Sequence, residues 1–138
     1  MGTRAWRLVT VRLLWSWLRL QATQEGRGIE AGMALTREFK ETVVARARRD
    51  AKFRDAMFAE AINAYLAGDT QTGKAMLRDL VNATIGFEGL SAEIRKPSKS
   101  LHRMLAERGN PSTENFFGIV KALQKKTRTR LRVAVQSS

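Results

Sequence analysis

Short polar and cationic side chains recur at helical spacing in the second half of the chain. Four of them fall on one side of a predicted helix: Ser98, Lys99, His102 and Arg103. Hydroxyl donors and long cations on the N-terminal half of a helix are the groups that reach base edges in a DNA major groove. The same pattern is also typical of an ordinary helical hairpin with a solvated polar face, so both interpretations stay open.

Other chemistry finds little support in the composition. The chain has no cysteine and one histidine, His102, which excludes disulfides and thiolate sites and leaves almost nothing for a histidine-rich metal site. No carboxylate pair stands out among the evenly mixed charges of residues 36–79. We therefore expect no enzyme activity, no metal site and no cofactor. The absence of cysteine fits a reducing cytoplasm.

One near-match to a phosphate-binding loop occurs at residues 68–74, which read GDTQTGK. Ala75 follows where the loop needs a magnesium-binding hydroxyl, and the preceding segment is predicted to be a helix rather than a strand. Gly68 and Asp69 are typical of a helix stop and a helix cap. We therefore expect no nucleotide site here.

Two short crossed helices are predicted to position the polar side chains, over residues 87–94 and 97–106. Arg95 and Lys96 supply a tight turn between them, and Pro97 suits the first position of the second helix. Apolar contacts between the two helices are expected from Leu90, Ile94, Leu101 and Met104.

Longer helices are predicted on either side of this pair, which gives an all-α helical bundle. The first covers residues 36–48, and Asp50 and Asp69 cap the next two. A last helix follows the turn at residues 108–112. The stripes expected to face the core are Phe39, Val43, Val44 and Ala47; Phe53, Met57, Ala61 and Ala64, widened by Phe58, Ile62, Tyr65 and Leu66; Met76, Leu77, Leu80, Val81 and Thr84; and Phe116, Phe117, Val120 and Leu123.

Charge divides the chain unevenly. Of the formal net charge of +12, residues 33–94 contribute nothing, since nine basic side chains match nine acidic ones. Residues 95–138 carry eleven basic and two acidic side chains, a net +9. A neutral body joined to a basic region is typical of a protein that meets a polyanion with one face. We divide the chain into an atypical extension at 1–32, a helical subdomain at 33–86, and a domain at 87–138.

The first 32 residues hold all three tryptophans. Their apolar stretch at residues 8–20 is interrupted by Arg12 and Arg19, and is too short and too charged to span a bilayer. The favoured interpretation is that translation begins at Met33; a functional N-terminal arm and an interfacial membrane anchor are the alternatives. We expect no membrane attachment.

The C-terminal residues change to a period of two. Leu131, Val133 and Val135 alternate with more polar neighbours, which predicts a short β-strand. Because a single strand cannot satisfy its own backbone, we expect it to pair with its copy in a homodimer.

Residues 90–123 resemble the helix-turn-helix of the Cro/repressor-like family. LSAEI at 90–94 stands where that family has L-A-x-x-L, SKSLHRM at 98–104 stands at the recognition helix, and GNPS at 109–112 stands at its G-N-P-[ST] turn. Arg95 departs from the family, which usually has glycine there. More narrowly, residues 33–135 resemble the HigA-type antidote (antitoxin) family of addiction modules, in LTREFKETV, AGDTQTGKAMLRDLVNATIGFEGL and KPSKSLHRMLAERGNPS.

The resemblance implies roles for individual residues. Ser98, Lys99 and Arg103 would read bases, and Ser100 and His102 would lie near the backbone or flanking bases. Phosphates would be held by Lys96, Asn110, Ser112, Lys125 and Lys126. The lysines and arginines from residue 125 onward are equally typical of a solubilising fringe beside the dimer strand.

We therefore expect a cytoplasmic, homodimeric transcriptional repressor that binds double-stranded operator DNA. The resemblance adds that it would autoregulate its operon and neutralise a co-encoded ribonuclease toxin. The alternative is a protein-interaction module that binds a toxin or RNA without specific DNA recognition.

Overall fold

Six α-helices make up the part of the chain that the computed structural model describes, the backbone of residues 29–137 and the side chains of residues 37–137. They are α1 (Ile29–Arg49), α2 (Ala51–Leu66), α3 (Thr70–Ala83), α4 (Gly86–Ile94), α5 (Ser98–Met104) and α6 (Thr113–Thr127). The all-α prediction is confirmed for this range. The expectations for residues 1–28 lie outside it, and α1 already begins four residues before Met33.

Two aspartates start α2 and α3 as predicted. The Asp50 carboxylate accepts a hydrogen bond from the Phe53 backbone N–H at 3.1 Å, and the Asp69 carboxylate accepts one from the Thr72 N–H at 3.3 Å. Each bond satisfies an N–H group that the first helical turn leaves without a backbone partner. Between the helices Gly68 has a φ of 84°, a conformation that L side chains rarely adopt.

The predicted apolar stripes form one continuous core. Residues from α1 to α6 belong to the same buried cluster, so the two halves of the sequence share one interior. Fully buried side chains of at least valine size include Met57, Phe58, Met76, Leu77, Leu80, Val81, Leu90, Leu101, Leu105, Ile119 and Leu123.

Two predicted core residues are on the surface. Leu66 ends α2 and is largely exposed, and Phe117 in α6 is 61% exposed. In α6 the inward face is instead formed by Ile119, Val120 and Leu123, with Phe116 partly buried. Phe117 lies 100° around the helix from Phe116, outside that face.

The predicted C-terminal strand does not form within this chain. Helix α6 ends at Thr127 and is followed by a left-handed residue, Arg128, with φ 56°; residues 129–137 have no regular structure. The Leu131 N–H donates to the Gln124 side-chain oxygen at 2.9 Å, and Leu131 packs partly buried against the core. Val133 and Val135 are exposed. No other extended segment lies beside this tail in the described range, and a strand requires one.

One carboxyl group lies inside the bundle. Asp79 of α3 is only 4% exposed, and its Oδ2 atom has no hydrogen-bond partner. Burial raises its pKa to about 6, against the opposing effect of the positive charges of Lys40 and Arg78.

In the described range no helix combines the length and apolar character needed to cross a bilayer.

Candidate nucleic-acid interface

The turn between α4 and α5 is fixed by hydrogen bonds to Ser91. The backbone N–H groups of Arg95 and Lys96 both donate to the Ser91 carbonyl, and the Ser91 hydroxyl donates to the Lys96 carbonyl at 2.5 Å. Arg95 is left-handed, with φ 57° and ψ 46°. This arginine therefore adopts the conformation that glycine takes more readily, and the chain reverses within three residues.

The inner side of α5 is held by apolar contacts. Leu101 is fully buried together with Leu90 of α4 and Leu105, while Ile94 and Met104 are partly buried against them. The four residues predicted to join the two helices are confirmed as part of the core. Leu105 was missed, although it follows Leu101 by four residues within the predicted helix, a spacing that indicates the same apolar face.

The outer side of α5 carries the predicted polar residues. Lys99, His102 and Arg103 are exposed, and Ser98 and Ser100 are partly exposed. Lys96 in the preceding turn is exposed as well. The structure therefore brings the predicted base-reading residues Ser98, Lys99 and Arg103 together on one short helix.

His102 has a specific neighbour that the sequence did not reveal. Its ring stacks on Phe87 of α4, with 3.7 Å between the ring centroids and an angle of 18° between the planes. Nearly parallel stacking at this distance leaves the imidazole ring little room to rotate while the contact is kept. His102 therefore also helps to fix α5 on α4, a contact that its prediction as a flanking DNA contact did not include.

The loop between α5 and α6 carries two further predicted contacts. Asn110 and Ser112 are both exposed. The Ser112 hydroxyl accepts a hydrogen bond from the Asn115 N–H at 3.2 Å, so it caps α6 and retains its own O–H as a donor.

A buried lysine from α3 holds this loop from the inside. Lys74 is only 5% exposed, and its Nζ donates to the carbonyls of Glu107 at 2.8 Å and Gly109 at 2.6 Å. Sequence reasoning considered Lys74 only as a phosphate-loop lysine. No spacing signal indicates carbonyls that lie 33 and 35 residues further along the chain.

The two lysines predicted at the end of α6 differ in their surroundings. The Lys125 Nζ lies 2.8 Å from the Glu93 carboxylate of α4, and both side chains are well exposed. An exposed pair of this kind contributes little stability, about 0–1 kcal/mol. Lys126 is exposed too, so both lysines remain accessible to a partner.

The basic side chains of the C-terminal part of the chain are exposed. All eleven basic side chains between residues 95 and 132 are exposed, against exposed carboxylates at Glu107 and Glu114 only. Among the described residues no group of three or more His, Cys, Asp or Glu side chains is arranged to hold a metal ion.

Comparison of the chain with protein-family models, with curated proteins and with solved structures yields no match.

Proposed function

We propose that this chain is a sequence-specific DNA-binding transcriptional repressor in which α4, the turn at Arg95 and α5 act as a helix-turn-helix. The observation that carries the proposal is the division of α5 into two sides. Leu101 is buried in the core, while Lys99 and Arg103 project from the same helix into solvent. A helix anchored on one side and cationic on the other suits insertion into a major groove.

The surrounding charge supports a nucleic-acid partner. The net +9 of residues 95–138 lies on exposed side chains, next to a body whose charges balance. Lysine and arginine side chains that neutralise phosphates supply the sequence-independent part of DNA affinity. The exposed Lys96, Asn110 and Ser112 flank α5 on both sides along the chain and suit phosphate contacts.

A homodimer and a toxin partner complete the proposal. One short recognition helix reads few base pairs, and two copies on a palindromic operator double the readout. The exposed Val133 and Val135 remain available for pairing between copies. The resemblance to antitoxins supports autoregulation of an operon and neutralisation of a ribonuclease toxin; co-purification with the product of a neighbouring reading frame tests that part.

The test compares two double variants, one that removes two positive charges from α5 and one that removes two from the N-terminal helices. The double variant Lys99→Ala/Arg103→Ala loses the candidate base contacts, and Arg49→Ala/Lys52→Ala removes the same charge from exposed positions at the junction of α1 and α2. Both are compared with the wild type on the chain's own upstream DNA and on a scrambled duplex. We expect the α5 variant to lose about 30-fold to 10⁴-fold in preference for upstream DNA, because it removes two base contacts that contribute roughly 1–3 kcal/mol each.

The control should retain the wild-type preference, with circular dichroism confirming equal helicity in all three proteins. Equal losses in both double variants would contradict the proposal, because they would show that only total charge matters.

A protein-interaction module is the second candidate. The exposed Phe117 favours it, because its ring packs on Phe116 at 5.3 Å and Phe116 packs on Tyr65 at 4.5 Å, and contiguous apolar surface often marks a protein contact. Specific DNA binding by the purified chain alone would count against this candidate as the sole function. Failure of the purified chain to bind specific DNA, together with tight binding to a toxin, would support this candidate.

A further inference from the structure

We infer that Lys74 is a positioning residue for the candidate recognition helix: from inside the bundle it fixes the loop that follows α5. The inference rests on the proposed function, since it concerns how that helix is held for DNA binding. Lys74 itself is only 5% exposed.

The two hydrogen bonds made by Lys74 define a clamp. Nζ donates to the Glu107 carbonyl at 2.8 Å and to the Gly109 carbonyl at 2.6 Å. Both carbonyls lie in the loop after α5, three and five residues beyond its last residue, Met104. Lysine has three donors on a long stem, so one side chain satisfies two carbonyls of the same loop.

The clamped loop lies directly against α5. A Cβ atom placed on Gly109 would collide with the Arg103 carbonyl and would lie 2.6 Å from the Met104 carbonyl. The Gly109 N–H also donates to the Ala106 carbonyl at 2.9 Å. Because the loop backbone abuts the last turn of α5, a shift of the loop moves the residue that carries the Arg103 side chain.

The other end of the clamp is equally fixed. Gly73, the neighbour of Lys74, packs so closely against α2 that a Cβ there would lie 2.5 Å from the Tyr65 ring and 3.1 Å from the Ala61 carbonyl. Helix α3 is therefore held at the position from which Lys74 reaches the loop. The chain of contacts runs from α2 through α3 and Lys74 to the end of α5.

The two glycines and the lysine of the GDTQTGK segment therefore each have a structural role that involves no phosphate. Gly68 ends a helix with positive φ, Gly73 permits close packing, and Lys74 binds backbone carbonyls. A lysine with these partners is oriented toward the protein interior, so its contribution to DNA binding is geometric rather than electrostatic.

The experiment compares Lys74→Met, which keeps length without the donors, with Lys52→Met on the exposed surface of α2. Both remove one positive charge from the full chain. Binding to the upstream duplex and to a scrambled duplex is measured over a salt series, at a temperature where circular dichroism shows each protein folded. We expect Lys74→Met to lose about tenfold or more of its preference for upstream DNA, with unchanged scrambled-DNA affinity and salt slope, while Lys52→Met keeps the preference.

A phosphate-contacting lysine would behave differently. Its loss would weaken binding to both duplexes and reduce the salt slope by about 0.9, which would overturn the positioning role. A folded Lys74→Met protein with wild-type preference would also overturn it, while leaving the proposed function intact.

If Lys74→Met does not fold, Lys74→Gln, which retains an amide donor, replaces it in the same assay. Failure of both to fold would show a requirement for the fold itself and would overturn the narrower role. Absence of any preference in the wild type would instead overturn the proposed function, and this inference with it.

Discussion

At the scale of single residues, Asp79 has the most unusual environment in the described chain. It is 4% exposed in α3, and burial raises its pKa to about 6 from an ordinary 3.8. The folded protein therefore holds the proton more tightly than the unfolded chain does. Between these two pKa values, stability must fall as the pH rises, because folding then has to bury a charged carboxylate.

Asp79→Asn should remove this pH dependence. We expect the variant to match the wild type in unfolding free energy at about pH 3.5 and to exceed it by up to about 3 kcal/mol at about pH 7, since one pKa unit corresponds to about 1.4 kcal/mol. Urea unfolding of both proteins across this range measures the difference, in which the titration of other groups cancels. A constant difference at all pH values would contradict the raised pKa.

Residue roles were predicted well where the signal is local. The caps at Asp50 and Asp69 and the polar side of α5 follow from side-chain type and helical spacing, and the structure agrees. The partners of Lys74 and the stacking of His102 on Phe87 depend on segments distant in sequence. Those contacts are set by tertiary packing, which a single sequence does not display.

At the scale of helices, the close crossing of α2 and α3 depends on a glycine. The absence of a side chain on Gly73 lets the Tyr65 ring lie against the α3 backbone. In α6, Gly118 has nothing within 4 Å of the position of a Cβ. The space around the backbone therefore requires glycine at position 73 but not at position 118.

Alanine at these two glycines should have opposite effects. Gly118→Ala should stabilise the protein by about 0.5–1 kcal/mol, because alanine loses less backbone freedom in a helix. Gly73→Ala gains the same backbone stabilisation, but its Cβ must displace the Tyr65 ring or push the two helices apart. Overpacking of this kind costs about 1–3 kcal/mol, so we expect net destabilisation. Thermal unfolding of both variants gives the signs; stabilisation by Gly73→Ala would show that the crossing relaxes without strain.

The helices were more predictable than the C-terminal tail. A long amphipathic helix carries its own hydrogen bonds and a repeated apolar face, so its sequence indicates it directly. The alternation from Leu131 to Val135 is short, and a strand also needs a partner that lies elsewhere. Within the chain, Leu131 instead packs on the core, held through Gln124.

At the scale of the whole molecule, the tail is where the dimer prediction can be tested. The Leu131 backbone N–H makes the last hydrogen bond in the described chain, and residues beyond it are exposed. Removing residues 132–138 should therefore leave helicity unchanged while shifting the mass in light scattering from dimer to monomer. Val133→Ser/Val135→Ser, which keeps the length, should weaken the dimer in the same direction.

A truncated chain that remains dimeric would place the dimer contact elsewhere, and the exposed Phe117 in α6 would be the next residue to substitute.

Specific recognition of DNA through α5 is tested most directly by one measurement. The wild-type chain is titrated against its own upstream duplex and a scrambled duplex of equal length and composition, across a range of salt concentrations. We predict a preference of about 10³-fold or more for upstream DNA that persists as salt rises, as specific repressors show. Equal affinity for both duplexes, falling steeply and in parallel with salt, would contradict the claim and leave only electrostatic attraction.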